Sequence, residues 1–216
     1  MNSNCAIFDF DSTLVSIETL DFLIAKTSQN QAEKVEEITK LAMNGKMTFA
    51  DSLRARFANS HITKSEIEEL KSEICNYITE GFISGIKQLK FTFDIYIISG
   101  GFLEIIYPVA EKLGIAKENC FANNFIYEGE KIIGFDQSNI MAQNGGKPKI
   151  VAQILEKKSY EKIFMIGDGY TDLEVAKANP DVTFCGFGEH AAREAVIKES
   201  PNFFYNVGDL IKFLCA

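Results

Sequence analysis

The sequence predicts an α/β protein, a doubly wound parallel sheet with a helical segment inserted after its first strand. Three observations carry this. Apolar runs of strand length recur as Cys5-Ala-Ile-Phe8, Ile95-Tyr-Ile-Ile98 and Ile163-Phe-Met-Ile166, and each leads straight into polar or glycine-rich residues. Segments with helical spacing alternate with these runs, as in βα units. Between the first run and the second, the stretch 15–81 shows helical spacing alone, and that change of class marks an insertion standing over the end of the first strand.

The first strand passes into Asp9-Phe10-Asp11-Ser12-Thr13. Two carboxylates two positions apart point to the same side of an extended backbone, where they repel each other unless a cation with oxygen ligands sits between them. By itself Asp-x-Asp reads first as an acidic strand-end turn. The insertion follows as four helices, expected over Glu18–Thr27, Gln31–Met43, Thr48–Ala58 and Lys64–Ile78. Gly45 separates the second from the third. Thr48 and Thr63 suit N-caps, and Glu66 completes a capping box with Thr63.

A helix over Gly85–Lys90 leads to the second strand, Phe91–Ile98, then to a turn at Ser99-Gly100-Gly101 and a helix from Phe102 to Leu113. Two glycines before a helix let backbone N–H groups approach an anion. Phe125–Phe135 reads as a β-hairpin about a Glu-Gly turn. Gly145-Gly146-Lys147-Pro148-Lys149 opens a helix ending near Lys157, and Lys147 is preferred to Lys149 as an anion-facing cation because the glycines shield it less. The third strand ends in Gly167-Asp168-Gly169-Tyr170-Thr171-Asp172 before a helix over Leu173–Ala178, where Asp172 suits either a helix cap or a site. Val182–Cys185 and Phe203–Tyr205 bring the expected strands to about five.

Composition bounds the function. With 216 residues, 46% apolar and 24% charged, the chain suits one globular domain with an inserted module, and its net charge of −8 disfavours a nucleic-acid partner. No apolar run reaches the span of a membrane, and the start, Met-Asn-Ser-Asn-Cys, lacks signal-peptide regions, so a cytoplasmic protein is expected. Five cysteines without a Cys-x-x-Cys pair, beside two histidines, argue against a disulfide framework or a zinc site. Both histidines, His61 and His190, are expected to be exposed and uninvolved.

Taken together, an Asp-x-Asp, a Ser-Gly-Gly and a Gly-Asp-Gly-x-x-Asp at three strand ends, with a glycine-flanked lysine between the last two, form a specific constellation. The chain resembles the haloacid dehalogenase (HAD) superfamily, and within it the phosphoserine phosphatase family, over nearly its whole length. Asp9–Thr13, Ser99–Phe102, Lys147 and Gly167–Asp172 match the four motifs in order, and the insertion corresponds to the small helical cap. The resemblance implies a core of 1–14 with 82–216 and a cap of 15–81. It implies a magnesium-dependent phosphomonoesterase that hydrolyses a small phosphorylated amino acid, O-phospho-L-serine, acting as monomer or homodimer.

In that family pattern Asp9 is the nucleophile and Asp11 the general acid and base, while Lys147, Ser99 and Gly100 stabilise the transferring phosphoryl group. Mg²⁺ is held by Asp9, the Asp11 backbone carbonyl and Asp168, with Asp172 reaching it through water and orienting Lys147. Gly101 and Thr171 line the substrate; Thr171 stands where many relatives carry Asn. Glu18, Met43, Phe49 and Arg56 fall where relatives hold the amino acid part, Glu18 facing the ammonium and Arg56 the carboxylate. The readings set against this one are a phosphatase or phosphotransferase of the same fold acting on another phosphomonoester, a receiver-type signalling domain, and a binding module with an inactive site.

Overall fold

The structure is a computed structural model and describes residues 3–27, 29–58 and 60–216. Met1 and Asn2, on which the reading of the N-terminus partly rests, lie outside the described residues. Strand β1 is Asn4–Phe8, and a tight turn over Phe10–Leu14 leads into helices α1 (Thr19–Thr27), α2 (Gln29–Met43), α3 (Phe49–Phe57) and α4 (Lys64–Glu73). After α5 (Phe82–Leu89) come β2 (Phe93–Phe102), α6 (Leu103–Leu113), β3 (Cys120–Asn123) and the hairpin β4 (Phe125–Glu128) with β5 (Lys131–Phe135). Then follow α7 (Gly146–Lys157), β6 (Lys162–Gly167), α8 (Tyr170–Ala178), β7 (Val182–Phe187), α9 (Glu194–Glu199), β8 (Phe203–Phe204) and α10 (Val207–Leu214).

The main sheet has the order β3-β2-β1-β6-β7-β8, with every pairing parallel. The order reverses between β1 and β6, so the crevice at their carboxyl ends is the place where such sheets take ligands. Side chains alternate along β1. Ala6 and Phe8 join the core beneath one face of the sheet, Cys5 and Ile7 the core beneath the other. Both faces are covered by helices, which is why the strands read as continuous apolar runs rather than alternating ones.

Among the described residues, the helices of the segment 15–81 build no separate core. Leu23, Val35, Leu53, Ile67 and Leu70 belong to the same continuous cluster as Phe8 and Ile97. The chain enters and leaves the insertion along one seam: Ser16 N–H donates to Tyr77 O (2.9 Å), Thr79 N–H to Leu14 O (2.9 Å), and Val15 pairs with Ile78. At the far end of α3, Phe57 packs against Phe102 of β2 and Phe125 and Phe135 of the hairpin, with ring centroids 5.1–6.2 Å apart. Aromatic contacts of this kind hold that end of α3 to the sheet.

Several expected boundaries shift. The sheet has six strands rather than about five; the added one, β3, is four residues at the edge, too short for its periodicity to show. Ser99-Gly100-Gly101 is not a turn. The backbone stays extended through Phe102, with the ladder to β3 irregular between Ile98 and Phe102, and helix α6 starts only at Leu103. Small side chains let the backbone pass close to a crowded site. The helix expected over Lys64–Ile78 ends at Glu73 and tightens into a single turn over Ile74–Tyr77. Asp172 lies inside α8, at its third residue, not before it: the helix begins at Tyr170. Asp9 and Asp11 lie beyond the end of β1 rather than on extended strand, so their carboxylates are aimed by the turn.

Candidate active site

The turn over Phe10–Leu14 sits at the carboxyl end of β1, and one residue in it, Ser12, takes φ +53°, a left-handed conformation that a non-glycine side chain adopts only under constraint. Asp9 is anchored through its own N–H, which donates to Ile166 O of β6 (2.8 Å), while its Oδ1 accepts from Phe10 N–H (2.7 Å). Asp9 thereby stands at the crevice between β1 and β6. Asp11 turns elsewhere: its Oδ1 accepts from Thr19 N–H (3.1 Å) at the start of α1.

Lys147 reaches the same crevice from the start of α7. Gly145 adopts φ +69°, and a Cβ on Gly146 would lie 2.4 Å from Ile140 O, so the glycine pair is required for the loop to fold down this tightly. Lys147 is 6% exposed, and its ammonium lies 2.9 Å from Asp9 Oδ1 and 2.6 Å from Asp172 Oδ1. Lys149, the alternative, is exposed. Asp172 is held in turn by Gly169 N–H, which donates to its Oδ2 (3.1 Å). Asp168 is buried, and its Oδ2 accepts from Arg193 Nε (2.8 Å). The Ser99 hydroxyl oxygen accepts from Gly101 N–H (2.9 Å), and a Cβ on Gly101 would stand 3.3 Å from Asp11 Oδ2.

Side chains of the segment 15–81 lie against this crevice. A Cβ on Gly100 would lie 2.6 Å from Phe49 Cε2, so the Phe49 ring rests directly on the glycine; a Cβ on Gly169 would lie 2.8 Å from Met43 Sδ. Thr171 lines the small cavity that Phe49, Gly100 and Lys147 share. Glu18 Oε1 accepts from the Ser12 hydroxyl (2.7 Å) and from Arg193 Nη2 (3.0 Å). Arg56, 5% exposed, donates from Nη1 to Asp21 Oδ1 (3.3 Å), while its Nε is buried and has no partner among the described residues. Asp9, Asp168, Asp172 and Lys147 thus meet at one crevice, Phe49, Gly100 and Thr171 line a cavity with Lys147, and Asp11 Oδ2 lies with Ser99 Oγ beside Gly101, whereas Arg56 is paired with Asp21.

Three residues with a part in this geometry had no signal in the motifs. Arg193 lies 175 positions from Glu18 in the chain, in a polar turn that looks like any surface loop. Asp21 could have been found, because the helix expected over Glu18–Thr27 puts it three positions after Glu18 and so on the same face. Asn144 immediately precedes the glycine pair, where a polar residue reads simply as loop.

Carboxylates outnumber cations here, and burial sharpens the imbalance. Burial pushes Asp168 up to about 7, with the Arg193 guanidinium pulling the other way. Burial first and the Asp9 charge next push Asp172 well above the usual carboxylate range. Burial, then the charges of Glu18 and Asp9, do the same to Asp11, favouring its protonated form. Desolvation works against the Lys147 ammonium, but Asp172 and Asp9 more than offset it and hold its proton tightly. One carboxylate oxygen each from Asp9, Asp168 and Asp172 lie within 4.8 Å of one another. A buried, anionic set of hard oxygen donors fits a hard divalent cation.

Comparison with known proteins agrees with this geometry. The model of the haloacid dehalogenase-like hydrolases matches residues 4–179. The phosphoserine phosphatase of Rattus norvegicus is 35% identical over 216 residues, covering 99% of this chain and 92% of that one. A phosphoserine phosphohydrolase-like protein from Francisella tularensis superposes with a TM-score of 0.90 at 33% identity, covering 99% of this chain and 100% of its own. A phospho-aspartyl intermediate analogue of phosphoserine phosphatase superposes with a TM-score of 0.82 at 27% identity, covering 99% of each chain. Motifs, fold and full-length similarity coincide, and the chain belongs to the phosphoserine phosphatase family of the haloacid dehalogenase-like hydrolases.

Proposed function

We propose that this chain is a magnesium-dependent phosphatase that hydrolyses O-phospho-L-serine to L-serine and phosphate by way of an aspartyl phosphate. The observation that carries the reading is Asp9, a buried carboxylate at the topological switch point with a protonated lysine 2.9 Å away and two further carboxylates beside it. Asp9 attacks phosphorus, forming an O–P bond as the bond to the serine oxygen breaks. Asp11, whose surroundings favour the protonated acid, delivers its proton to the departing alkoxide. The resulting carboxylate then takes a proton from the water that attacks the aspartyl phosphate, releasing phosphate and restoring Asp9.

Lys147 neutralises charge on the transferring phosphoryl group, and Asp172 keeps its ammonium in place. Ser99 and the backbone at Gly100 and Gly101 line the same group. Asp9, Asp168 and the backbone carbonyl of Asp11 would hold Mg²⁺, with Asp172 behind them; the ion supplies positive charge against the phosphoryl oxygens.

The segment 15–81 serves as a cap over the core formed by 1–14 and 82–216. Arg56 reads the substrate carboxylate, and its unpartnered buried Nε supports this, since such a donor is costly unless something accepts from it. Glu18 faces the ammonium, and Phe49 and Met43 exclude water. Among the described residues no helix is long and apolar enough to cross a membrane.

The test is phosphate release from a panel of phosphomonoesters with Mg²⁺, with Asp9→Asn as control. Rapid turnover of O-phospho-L-serine that disappears in Asp9→Asn is the expected result. Faster turnover of another phosphomonoester, or turnover that survives the substitution, overturns the reading.

A further inference from the structure

Helix α3 carries two residues assigned above to the substrate, Phe49 and Arg56. They are seven positions apart, about two helical turns, and so lie on one face. Whatever sets the tilt of α3 sets both. Its carboxyl end is held through Phe57 in the aromatic cluster with Phe102, Phe125 and Phe135. Its amino end is the end that must settle on the crevice.

The first turn of a helix leaves backbone N–H groups without partners inside the helix. In α3 the Thr48 hydroxyl oxygen accepts from Asp51 N–H (3.2 Å), as an N-cap should. The Ala50 N–H is satisfied differently: it donates to Asn144 Oδ1 (3.0 Å), a side chain 94 positions away on the core. Asn144 stands three residues before Lys147, on the loop that the glycine pair pins against Ile140. It lies at the edge of a cleft of about 280 Å³ between the turn at Gly45–Thr48 and Tyr170–Thr171. Three further contacts along this seam are apolar: Phe49 on Gly100, Met43 on Gly169, and the Tyr170 ring beneath Gly45. Apolar contacts resist separation but tolerate sliding, because they are not directional. A hydrogen bond specifies distance and angle.

We propose that Asn144 is a positioning residue that latches the amino end of α3 onto the loop of Lys147, so that closure of the insertion places Phe49 and Arg56 in fixed register with the phosphoryl-transfer site. The bond forms when α3 settles and gives way to water when it lifts, so the latch biases the closed arrangement without preventing release. The inference rests on the reading of 15–81 as a cap and of O-phospho-L-serine as substrate, and one arm of its test is independent of both.

The variants are Asn144→Ala, which removes the acceptor, and Asn144→Asp, which keeps an acceptor and adds a charge favourable at a helix amino end. Asn144 is at the surface, so both should fold with wild-type melting temperatures. In the kinetic arm, Asn144→Ala should raise KM for O-phospho-L-serine roughly 3- to 10-fold with kcat changed less than about 2-fold, and p-nitrophenyl phosphate, which offers Arg56 no carboxylate, should change less than about 2-fold. Asn144→Asp should behave as wild type on both. In the second arm, hydrogen exchange without substrate should show the Ala50 amide exchanging at least about 3-fold faster in Asn144→Ala and restored in Asn144→Asp.

Unchanged exchange at Ala50 in the alanine variant overturns the latch, as does an aspartate variant that exchanges like alanine. If the wild-type protein does not turn over O-phospho-L-serine, the functional reading fails while the exchange arm still decides the latch. Equal KM increases on both substrates, with faster exchange across the whole molecule, would mean a merely structural role and overturn the proposal.

Discussion

Replacing Arg56 by Ala tests the assignment of the substrate carboxylate most directly. The guanidinium is nearly buried, spends Nη1 on Asp21 at 3.3 Å, and has a buried Nε without a partner. A charge-assisted hydrogen bond to a substrate carboxylate contributes about 1.5–3 kcal/mol, so kcat/KM for O-phospho-L-serine should fall roughly 10- to 150-fold. In the same variant p-nitrophenyl phosphate, lacking both carboxylate and ammonium, should lose less than about 3-fold. The substitution also strands Asp21, a carboxylate that burial already pushes up, at a cost to stability of about 1–3 kcal/mol. Adding Asp21→Asn should therefore recover most of the melting temperature and none of the phosphoserine turnover. Steady-state phosphate release and thermal unfolding separate the two effects. Equal losses on both substrates, or a double variant that regains phosphoserine turnover, would refute the reasoning.

Two other outcomes follow from the same site. Because the folded-state pKa of Asp168 lies near 7 and that of Asp172 is also raised, their stabilising contribution to the metal-free protein is complete below the unfolded carboxylate range and is lost as pH rises through about 7. The metal-free melting temperature should accordingly fall from pH 5 to pH 8 and Mg²⁺ should raise it more at pH 8 than at pH 5; an equal or absent Mg²⁺ shift counts against the carboxylate cluster as the metal site. In Gly100→Ala the new methyl would stand 2.6 Å from Phe49 Cε2, displacing the ring, so kcat/KM should drop at least about 10-fold with little change in unfolding, and shortening the ring with Phe49→Leu should recover part of the loss.

How much of this could be read from the chain differs by element. The three strand ends and the lysine loop were legible because each is local: an apolar run followed by a short polar motif reports both the strand and the point where it stops. The acids at positions 9, 168 and 172 then had to meet, since parallel strands bring their carboxyl ends to one edge. The strand character of Ser99–Gly101 was hidden because glycine signals permissiveness, and the crowded site uses that permissiveness for close approach rather than for a turn. Residues 120–123 were hidden by being short and at an edge.

What the sequence determined by itself was the class of fold and the atoms available for chemistry, because periodicity and motif spacing are properties of neighbouring residues. Only the tertiary structure decided how charge is shared and how the insertion is fastened. Arg193 joins Asp168 to Glu18, Asp21 takes one arm of Arg56, and Asn144 satisfies the amide of Ala50. Most of these pairings are long-range, and Asp21 joins Arg56 across 35 positions and two helices. Each exists because burial makes an unpartnered polar group costly, and the partner that relieves the cost is whichever side chain the packed helices and strands bring within reach.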